Sequence, residues 1–541
     1  MPTKKSYFTQ ALAIIVFSVI AFVFIKPFLP TKLFPDTLLG SKNVVVDSLM
    51  MEALAADASV DPNAKGAYEL PKEWGKEFSD LEFLLPFYEK LYQLETAGTA
   101  AVRIAYFGDS MTDGDMVVQD FRANFQNQFG GEGVGFVNIT SESAASRNTV
   151  KHEFSNNWTA KSFVNTKRPP APFGLSGNVF IARDTLKPTW AKYQASNQAH
   201  LNQLVAPQLF YGKSANKSAV VGIVKGRDTL YKKLNGRNLV NTLDLGGTTK
   251  KLSLNFIKSD SIPLYGVNFD DGKGVHVDNF SNRGNSGLPI VNIKSEILRA
   301  FDSQLNYDLI VLHYGTNVLN YGSLNFSWYE KKMKGVLEHL KQSFPNAAIL
   351  VISTADKSTK YNDEMKTDSA VVPLTLSQRK YAKEAQASFV NLFTLMGGDG
   401  SMVHWVEEEP SKANKDYTHF NHRGSKVISG LIYQQLMDGY SKYKMKRSGQ
   451  PFVPKTLPVV KSTEVTAPKV QDTSKFTSKP GTTNSLPATT TAPVVVKKVS
   501  EPVGVPAPVS NKKPESEVLP KVNTNVNTES TVKKDSLLIK K

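Results

Sequence analysis

Two short segments carry residue types that could cleave an ester by nucleophilic attack. The stretch "AVRIAYFGDSMTDGD" ends an apolar run in Gly-Asp-Ser, which places Ser110 just after a strand. In "KDYTHFNHRG", Asp416 and His419 lie three residues apart, so one turn of backbone lets the carboxylate meet the imidazole. A histidine held in this way can take the proton of a serine hydroxyl. We therefore predict Ser110 as nucleophile, His419 as base and Asp416 as the group that orients the base.

Two further segments could stabilise an oxyanion. A glycine in "FSNRGNSGLPI" can bring its backbone N–H close to a substrate carbonyl, and both Gly284 and Gly287 are candidates. We favour Gly287. In "HYGTNVLN", Asn317 follows a strand, and its side-chain amide can donate a further hydrogen bond. Together with the N–H of Ser110, these groups form the predicted oxyanion hole.

Several neighbouring residues have less specific interpretations. His422 competes with His419, but the spacing from the aspartate favours His419. Asp113 and Asp115 could suggest a metal site, yet no second group of ligands accompanies them, so we interpret them as loop and helix-start acids. His313 lies within an apolar strand and is interpreted as a buried structural histidine. We predict neither a metal nor a cofactor.

The elements that must position these residues alternate along the chain. Apolar segments typical of strands alternate with segments of helical periodicity, which predicts a three-layer α/β domain with a mostly parallel sheet. The carboxyl ends of its strands should bring the four motifs together. The predicted strands are 101–108, 307–315, 347–354 and 390–395, and the predicted helices are 78–96, 117–130, 326–344, 376–389 and 424–443.

Residues 151–275 differ from this pattern. Short alternating runs such as "AVVGIVK" and "KLSLNFIK" recur there, separated by Gly, Asn, Asp and Lys. Such spacing predicts a β-sandwich module, inserted into the α/β domain because strand–helix alternation resumes afterwards. Its aromatic residues, for example Phe210 and Tyr211, could stack on sugars, but core packing is the favoured interpretation.

Composition limits the function classes. The chain of 541 residues has no cysteine, which excludes disulfides, thiolate metal sites and a cysteine nucleophile. Its net charge is +16, but residues 446–541 hold sixteen Lys/Arg against seven Asp/Glu. This basic, Pro-rich and Thr-rich segment is predicted to be a disordered tail that could contact an anionic cell-wall polymer. No element shows an ordered basic and aromatic face, so we predict no nucleic-acid partner.

The N-terminus contains the apolar run "TQALAIIVFSVIAFVFI" after two lysines. It predicts an uncleaved membrane anchor, with the catalytic domain in the periplasm, or an exported protein if the segment is cleaved. The predicted organisation is an anchor (1–30), a stalk (31–75), the α/β domain in two parts (76–150 and 276–447), the inserted module (151–275) and the tail (448–541).

The four motifs occur in the order found in SGNH, or GDSL-type, hydrolases, which this chain resembles over about residues 100–445. "GDS", "NSG", "GTN" and "DYTH" resemble the four blocks of that superfamily. "LYGVNFDDGKGVHVDNFSNRGNSG" and the β-rich segment before it are similar to peptidoglycan O-acetylesterases, and "LFTLMGGDGSMVHW" is similar to their Bacteroidetes-type members. Met111 and Val318 depart from residues frequent in these relatives.

The resemblance implies an esterase that removes acetyl groups from cell-envelope polysaccharide, with peptidoglycan as the candidate polymer, through an acyl-enzyme. Its partners would be an acetylated glycan and, through the N-terminal helix, the membrane. Two alternatives use the same sequence features. One is an O-acetyltransferase with the same catalytic residues, and the other is a catalytically idle scaffold that binds glycan in the cell envelope.

Overall fold

The computed structural model of the protein describes residues 17–18, 49, 79–98, 101–183, 188–321 and 324–448. The predicted membrane anchor, the stalk and the tail lie almost wholly outside these residues. In the part of the chain that is described, no helix is long and apolar enough to cross a membrane.

The described residues form strands and helices in a mixed α/β arrangement. In chain order the strands are β1 (Ser79–Asp80), β2 (Ala101–Gly108), β3 (Gly135–Asn138), β4 (Val150–Phe154), β5 (Trp158–Ser162), β6 (Asn178–Ala182), β7 (Thr189–Ala195), β8 (Gln208–Gly212), β9 (Val220–Lys225), β10 (Asp228–Lys233), β11 (Val240–Asp244), β12 (Lys251–Ile257), β13 (Leu264–Phe269), β14 (Gly274–Asn279), β15 (Leu309–His313), β16 (Ala348–Ile352), β17 (Ser358–Tyr361), β18 (Glu364–Thr367) and β19 (Ser388–Val390). The helices are α1 (Leu85–Ala97), α2 (Val118–Phe129), α3 (Ser295–Leu305), α4 (Ser327–Ser343), α5 (Val371–Glu384), α6 (Leu392–Leu395), α7 (Ser401–Glu407) and α8 (His422–Arg447).

A six-stranded sheet in the order β1-β19-β16-β15-β2-β14 forms the centre of the α/β part. Five of its strands run parallel, and β1 pairs antiparallel with β19. The mostly parallel sheet is as predicted. The central strands β15 and β16 are buried at every position because both faces of the sheet are covered.

Successive side chains of β2 point to opposite faces of this sheet. Ala105 and Phe107 join a core that includes residues of α3, α4 and α5, whereas Ile104 and Tyr106 join a second core with residues of α1, α2 and α8. This alternation follows from the pleat of a strand. Helices therefore cover both faces, which gives three layers.

The direction in which the chain adds strands to the sheet reverses at β2. The chain places β14 on one side of β2 and β15 on the other, both parallel to it. A crevice at the carboxyl ends of the strands forms at such a switch point. Ser110, two residues after β2, lies at this place.

Between α2 and β14 the chain forms two antiparallel sheets. One has the order β10-β9-β12-β7-β4 and the other β11-β8-β13-β6-β5, with β3 also paired to β13. Buried side chains from both sheets, such as Tyr193, Val221, Leu209 and Val267, share one core. The sandwich-like strand pattern that the sequence predicts for this segment is present, and it begins with β3, before residue 151.

The second of these sheets also packs against the α/β part. Phe210 is fully buried and stacks on Phe301 of α3 with ring centroids 5.6 Å apart. Phe136 of β3 contacts both rings edge-on. Phe210 and Tyr211 are thus core residues, as favoured, and the two parts of the molecule share a continuous apolar core.

Two predicted elements differ from the structure. Residues 390–395 do not form a strand: β19 ends at Val390 and α6 begins at Leu392, because the side chain of Asn391 accepts a hydrogen bond from Thr394 N at 3.1 Å and caps the helix. Helix α5 begins at Val371 rather than residue 376. Pro373 is tolerated there because the first turn of a helix needs no internal N–H donor.

Candidate active site

Ser110 lies in a tight turn that follows β2. The N–H groups of Thr112 and Asp113 donate to the carbonyl of Asp109 at 3.3 and 3.0 Å, which closes the turn around the serine. The turn packs closely: a Cβ at Gly108 would collide with the hydroxyl of Thr112. The sequence thus requires glycine there, and Ser110 is held half-buried at the end of the strand.

The three predicted catalytic side chains are connected by hydrogen bonds. Ser110 Oγ lies 2.9 Å from His419 Nε2, and His419 Nδ1 lies 2.8 Å from Asp416 Oδ2. If Nδ1 carries the proton, it donates to the carboxylate, and Nε2 is left free to accept the serine proton. Residues separated by 309 positions in sequence are therefore brought into hydrogen-bond contact.

The loop before α8 fixes the Asp416–His419 pair. The backbone N–H groups of Thr418 and His419 donate to Asp416 Oδ1 at 3.0 and 2.9 Å. Partial burial of Asp416 favours its protonated form, but the hydrogen bonds from His419 outweigh this and lower the pKa of the carboxyl below its usual value. Asp416 is therefore ionised at neutral pH and can stabilise an imidazolium.

The predicted amide donor, Asn317, lies beside the serine turn. Its Nδ2 donates to the carbonyl of Asn285 at 3.1 Å and to Asp109 Oδ2 at 3.3 Å. The second distance is long for an N–H···O bond. This weaker contact leaves a hydrogen that a substrate oxygen can compete for.

Gly287, the predicted oxyanion glycine, lies in the loop that follows β14. Its N–H donates to Asn285 Oδ1 at 2.9 Å, so this amide is already used within the loop. Gly287 also packs against Tyr314 and Met333. The alternative, Gly284, has φ +74°, a backbone conformation that favours glycine.

In the described residues, no hydrogen-bond acceptor lies within reach of the N–H groups of Gly284 or Ser110. Both belong to segments in direct contact, because Asn282 N donates to the carbonyl of Gly108 at 3.0 Å. The glycine segment thus lies beside the serine turn, with Gly284 rather than Gly287 presenting a free donor. Sequence pattern alone could not decide between them because it does not reveal which amide an asparagine side chain occupies.

Asp109 is a neighbour whose influence the sequence did not reveal. Its carboxyl is buried and accepts hydrogen bonds from Met111 N at 2.9 Å and from Asn317. Burial raises its pKa to about 7, although the Met111 N–H and the charge of His419 oppose the shift. Asp109 therefore positions both the serine turn and the asparagine amide.

A cluster of charged side chains flanks the same turn. Asp115 is fully buried between Arg122, at 2.8 Å, and Arg147, at 3.3 Å. Asp113 accepts hydrogen bonds from Arg283 Nε at 2.7 Å and from Ser143 Oγ at 2.9 Å. These acids are loop residues, as interpreted from the sequence, but their long-range arginine partners were not foreseen.

The competing histidines lie elsewhere. His313 is buried in β15 and forms a hydrogen bond with Tyr106 Oη at 2.9 Å, and burial lowers its pKa to about 4. His422 is the first residue of α8, after the Asn421 cap. Across the described ranges, no three or more His, Asp or Glu side chains are arranged to hold a metal ion.

Comparison with known proteins gives a structural likeness without a sequence match. No model of a known protein family matches the chain, and no curated protein matches it in sequence. A solved structure of a peptidoglycan O-acetylesterase superposes with a TM-score of 0.56 at 20% sequence identity, covering 66% of this chain and 96% of that one.

Two more distant likenesses have TM-scores too low to support an argument. A family two carbohydrate esterase from Cellvibrio japonicus gives 0.23 at 8% identity over 55% of this chain and 99% of its own. A salicylyl-acyltransferase from a tetracycline biosynthetic pathway gives 0.25 at 12% identity over 56% and 97%. The likeness to the O-acetylesterase structure shows that the described chain shares its fold.

Proposed function

We propose that the protein is a serine esterase that removes O-acetyl groups from polysaccharide of the cell envelope. The observation that carries the proposal is the continuous chain from Ser110 Oγ through His419 to Asp416, with contacts of 2.9 and 2.8 Å at the switch point of the sheet. A nucleophile, a base and an orienting carboxylate in hydrogen-bond reach are what acyl transfer requires.

The first half of the reaction forms an acetyl-enzyme. Ser110 Oγ attacks the acetyl carbonyl while its proton passes to His419 Nε2, and the charge of Asp416 stabilises the imidazolium. The tetrahedral intermediate then breaks its bond to the sugar oxygen, which leaves as an alcohol with the proton from His419. The acetyl group remains on Ser110 as an ester.

The second half returns the enzyme to its starting state. Water attacks the acetyl-enzyme while His419 accepts one of its protons. Collapse of this second intermediate breaks the bond to Ser110 Oγ, which regains the proton, and acetate leaves. If a sugar hydroxyl replaces water, the same steps transfer the acetyl group instead of hydrolysing it.

We assign the oxyanion to three donors: the N–H groups of Ser110 and Gly284 and the Nδ2 of Asn317. The free amide of Gly284 supports this choice over Gly287, whose N–H is taken by Asn285. Each such donor contributes roughly 3 kcal/mol of transition-state stabilisation.

Peptidoglycan is the specific substrate we propose, because the solved structure with a TM-score of 0.56 is that of a peptidoglycan O-acetylesterase. The apolar N-terminal run and the basic C-terminal segment support an anchored enzyme in the periplasm that stays near an anionic wall polymer. An idle scaffold is less well supported, since a protein without catalysis needs no serine–histidine–aspartate contact.

Acetate release from purified acetylated glycans tests the proposal. The full chain should release acetate from at least one such polymer, and Ser110→Ala should abolish the release. Ser303→Ala, on the exposed surface of α3, is a matched control and should leave acetate release unchanged. Equal release of acetate by the Ser110→Ala variant would refute the assignment. The ratio of free acetate to newly acetylated sugar among the products separates hydrolysis from transfer.

A further inference from the structure

The residue before Gly284 is Arg283, whose side chain is held against the turn that contains Ser110. Arg283 Nε donates to Asp113 Oδ2 at 2.7 Å, and 52% of the arginine side chain is exposed. Asp113 is itself fixed by Ser143 Oγ at 2.9 Å and by its own N–H, which donates to the carbonyl of Asp109 at 3.0 Å. The guanidinium is thus held by Asp113, which lies three residues after Ser110 in the chain.

The terminal nitrogens of this guanidinium have no partner among the described residues. Arginine presents its donors in a rigid planar fork that fits a carboxylate with two parallel hydrogen bonds. With Nε held by Asp113, the remaining Nη groups are exposed and can bind an external anion. Because the side chain is already ordered, little conformational entropy is lost on binding.

The charge balance of the surrounding cluster favours an anion. Three guanidinium groups, Arg122, Arg147 and Arg283, face two carboxylates, Asp113 and Asp115, which leaves one net positive charge. Arg122 and Arg147 are directed to the buried Asp115, whereas Arg283 is on the surface. Arg283 is paired one to one with Asp113, so the excess charge belongs to the two arginines at Asp115, and Arg147 also interacts with Asp113 and adds to the positive potential there.

We infer that Arg283 forms an anion subsite that binds a carboxylate of the substrate glycan beside the acetyl ester. The inference rests on the proposed esterase function and adds the class of substrate: an acidic acetylated glycan. Gly284, which follows Arg283 directly, presents its free N–H to the ester carbonyl. The two adjacent residues thus contact neighbouring groups of one substrate, and the carboxylate helps to place the ester.

Binding measurements test this subsite independently of turnover. The Ser110→Ala variant of the full chain is titrated with a methyl O-acetyl-glucuronoside and with the corresponding O-acetyl-glucoside, which lacks the carboxylate. The glucuronoside should bind about tenfold more tightly, as expected for a charged hydrogen-bonded pair at a half-exposed site. Adding Arg283→Gln should remove this difference, and Arg283→Lys should restore part of it.

Two further arms complete the experiment. Arg227→Gln, in the exposed turn between β9 and β10, is the matched control and should preserve the preference. The carboxylate could come from a hexuronic acid or from the lactyl ether of a muramic acid. Comparing the affinity for O-acetyl-N-acetylmuramic acid with that for the glucuronoside distinguishes these sources, and tighter binding of either one than of the neutral sugar supports the subsite.

With the active enzyme, Arg283→Gln should raise KM for the acidic substrate about tenfold more than it raises KM for the corresponding neutral O-acetyl-glucoside. Equal binding of acidic and neutral sugars by the parent protein would overturn the inference, as would equal losses on both in Arg283→Gln. Failure of the esterase proposal looks different, because then p-nitrophenyl acetate hydrolysis does not depend on Ser110.

Discussion

Two aspartates near the same serine have contrasting surroundings. Asp115 is fully buried, and although burial favours its protonated form, the charges of Arg122 and Arg147 outweigh this and hold its pKa well below the usual value. Asp416 also has a lowered pKa, but half of its side chain is exposed and its partner is a histidine.

Under the proposed function, the difference separates structural from catalytic use of a carboxylate. The partners of Asp115 keep their protons at any physiological pH, so that cluster has a fixed charge and ties α2 and the loop at Arg147 to the serine turn. The partner of Asp416 can gain and lose a proton, and the pair is open to solvent and substrate. We therefore expect one substitution, Asp to Asn, to have opposite consequences in the two places.

Asp416→Asn should have the largest effect, and it should be on the rate. The amide favours the wrong tautomer of His419 and cannot stabilise the imidazolium, so kcat for an acetyl ester should fall about 10³–10⁴-fold, equivalent to about 4–5.5 kcal/mol. The free energy of unfolding should change by less than about 1 kcal/mol, because the pair is half-exposed. Steady-state kinetics and urea unfolding measure the two quantities, and a large loss of stability with an intact rate would break the comparison.

Asp115→Asn should instead destabilise the fold. Asparagine tolerates the φ of +70° at this position, so the substitution removes the charge without straining the backbone. It leaves the fully buried Arg122 without its counter-ion, which should cost about 3–5 kcal/mol of unfolding free energy. Urea unfolding at pH 7 measures this, with Asp416→Asn as the matched control. Loss of less than 1 kcal/mol would show that the cluster is not structural.

Asp109→Asn sharpens the comparison, because Asp109 is buried without a cation. Its pKa of about 7 in the folded protein lies above the ordinary value of 3.8, so the folded state binds the extra proton, and stability is lost as the pH rises through about 7. Between pH 5 and pH 7 the folded state holds a proton that the unfolded state has already lost, so the substitution should stabilise the protein by about 3 kcal/mol more at pH 8 than at pH 5. Thermal or urea unfolding at both pH values tests this, and the same change at both pH values would contradict it.

Local patterns predicted three side chains that the structure joins by hydrogen bonds, but not their surroundings. Ser110 follows an apolar strand, and Asp416 and His419 have a spacing that one turn of backbone can close. Residues close together in the sequence were therefore sufficient to predict these three side chains. The parallel sheet was also predictable because its strands are continuously apolar. In contrast, the contact between Asp113 and Arg283 joins residues 170 positions apart, and no short motif records it.

The sequence could not decide between Gly284 and Gly287 for a related reason. Both glycines have positive φ, so backbone freedom does not distinguish them. The deciding contact is made by the side chain of Asn285, which occupies one amide and leaves the other free. The strand predicted at 390–395 failed because a single capping residue, Asn391, outweighs the apolar run that follows it.

The most direct test of the account is covalent labelling of the nucleophile. A fluorophosphonate reacts with a serine hydroxyl only where a base and an oxyanion hole activate it. At pH 7.5 the full chain should gain one adduct, located by mass spectrometry on Ser110, and His419→Ala should slow its formation at least about 100-fold. An adduct on another residue, no adduct at all, or labelling of Ser110 at an undiminished rate in His419→Ala would contradict the central claim.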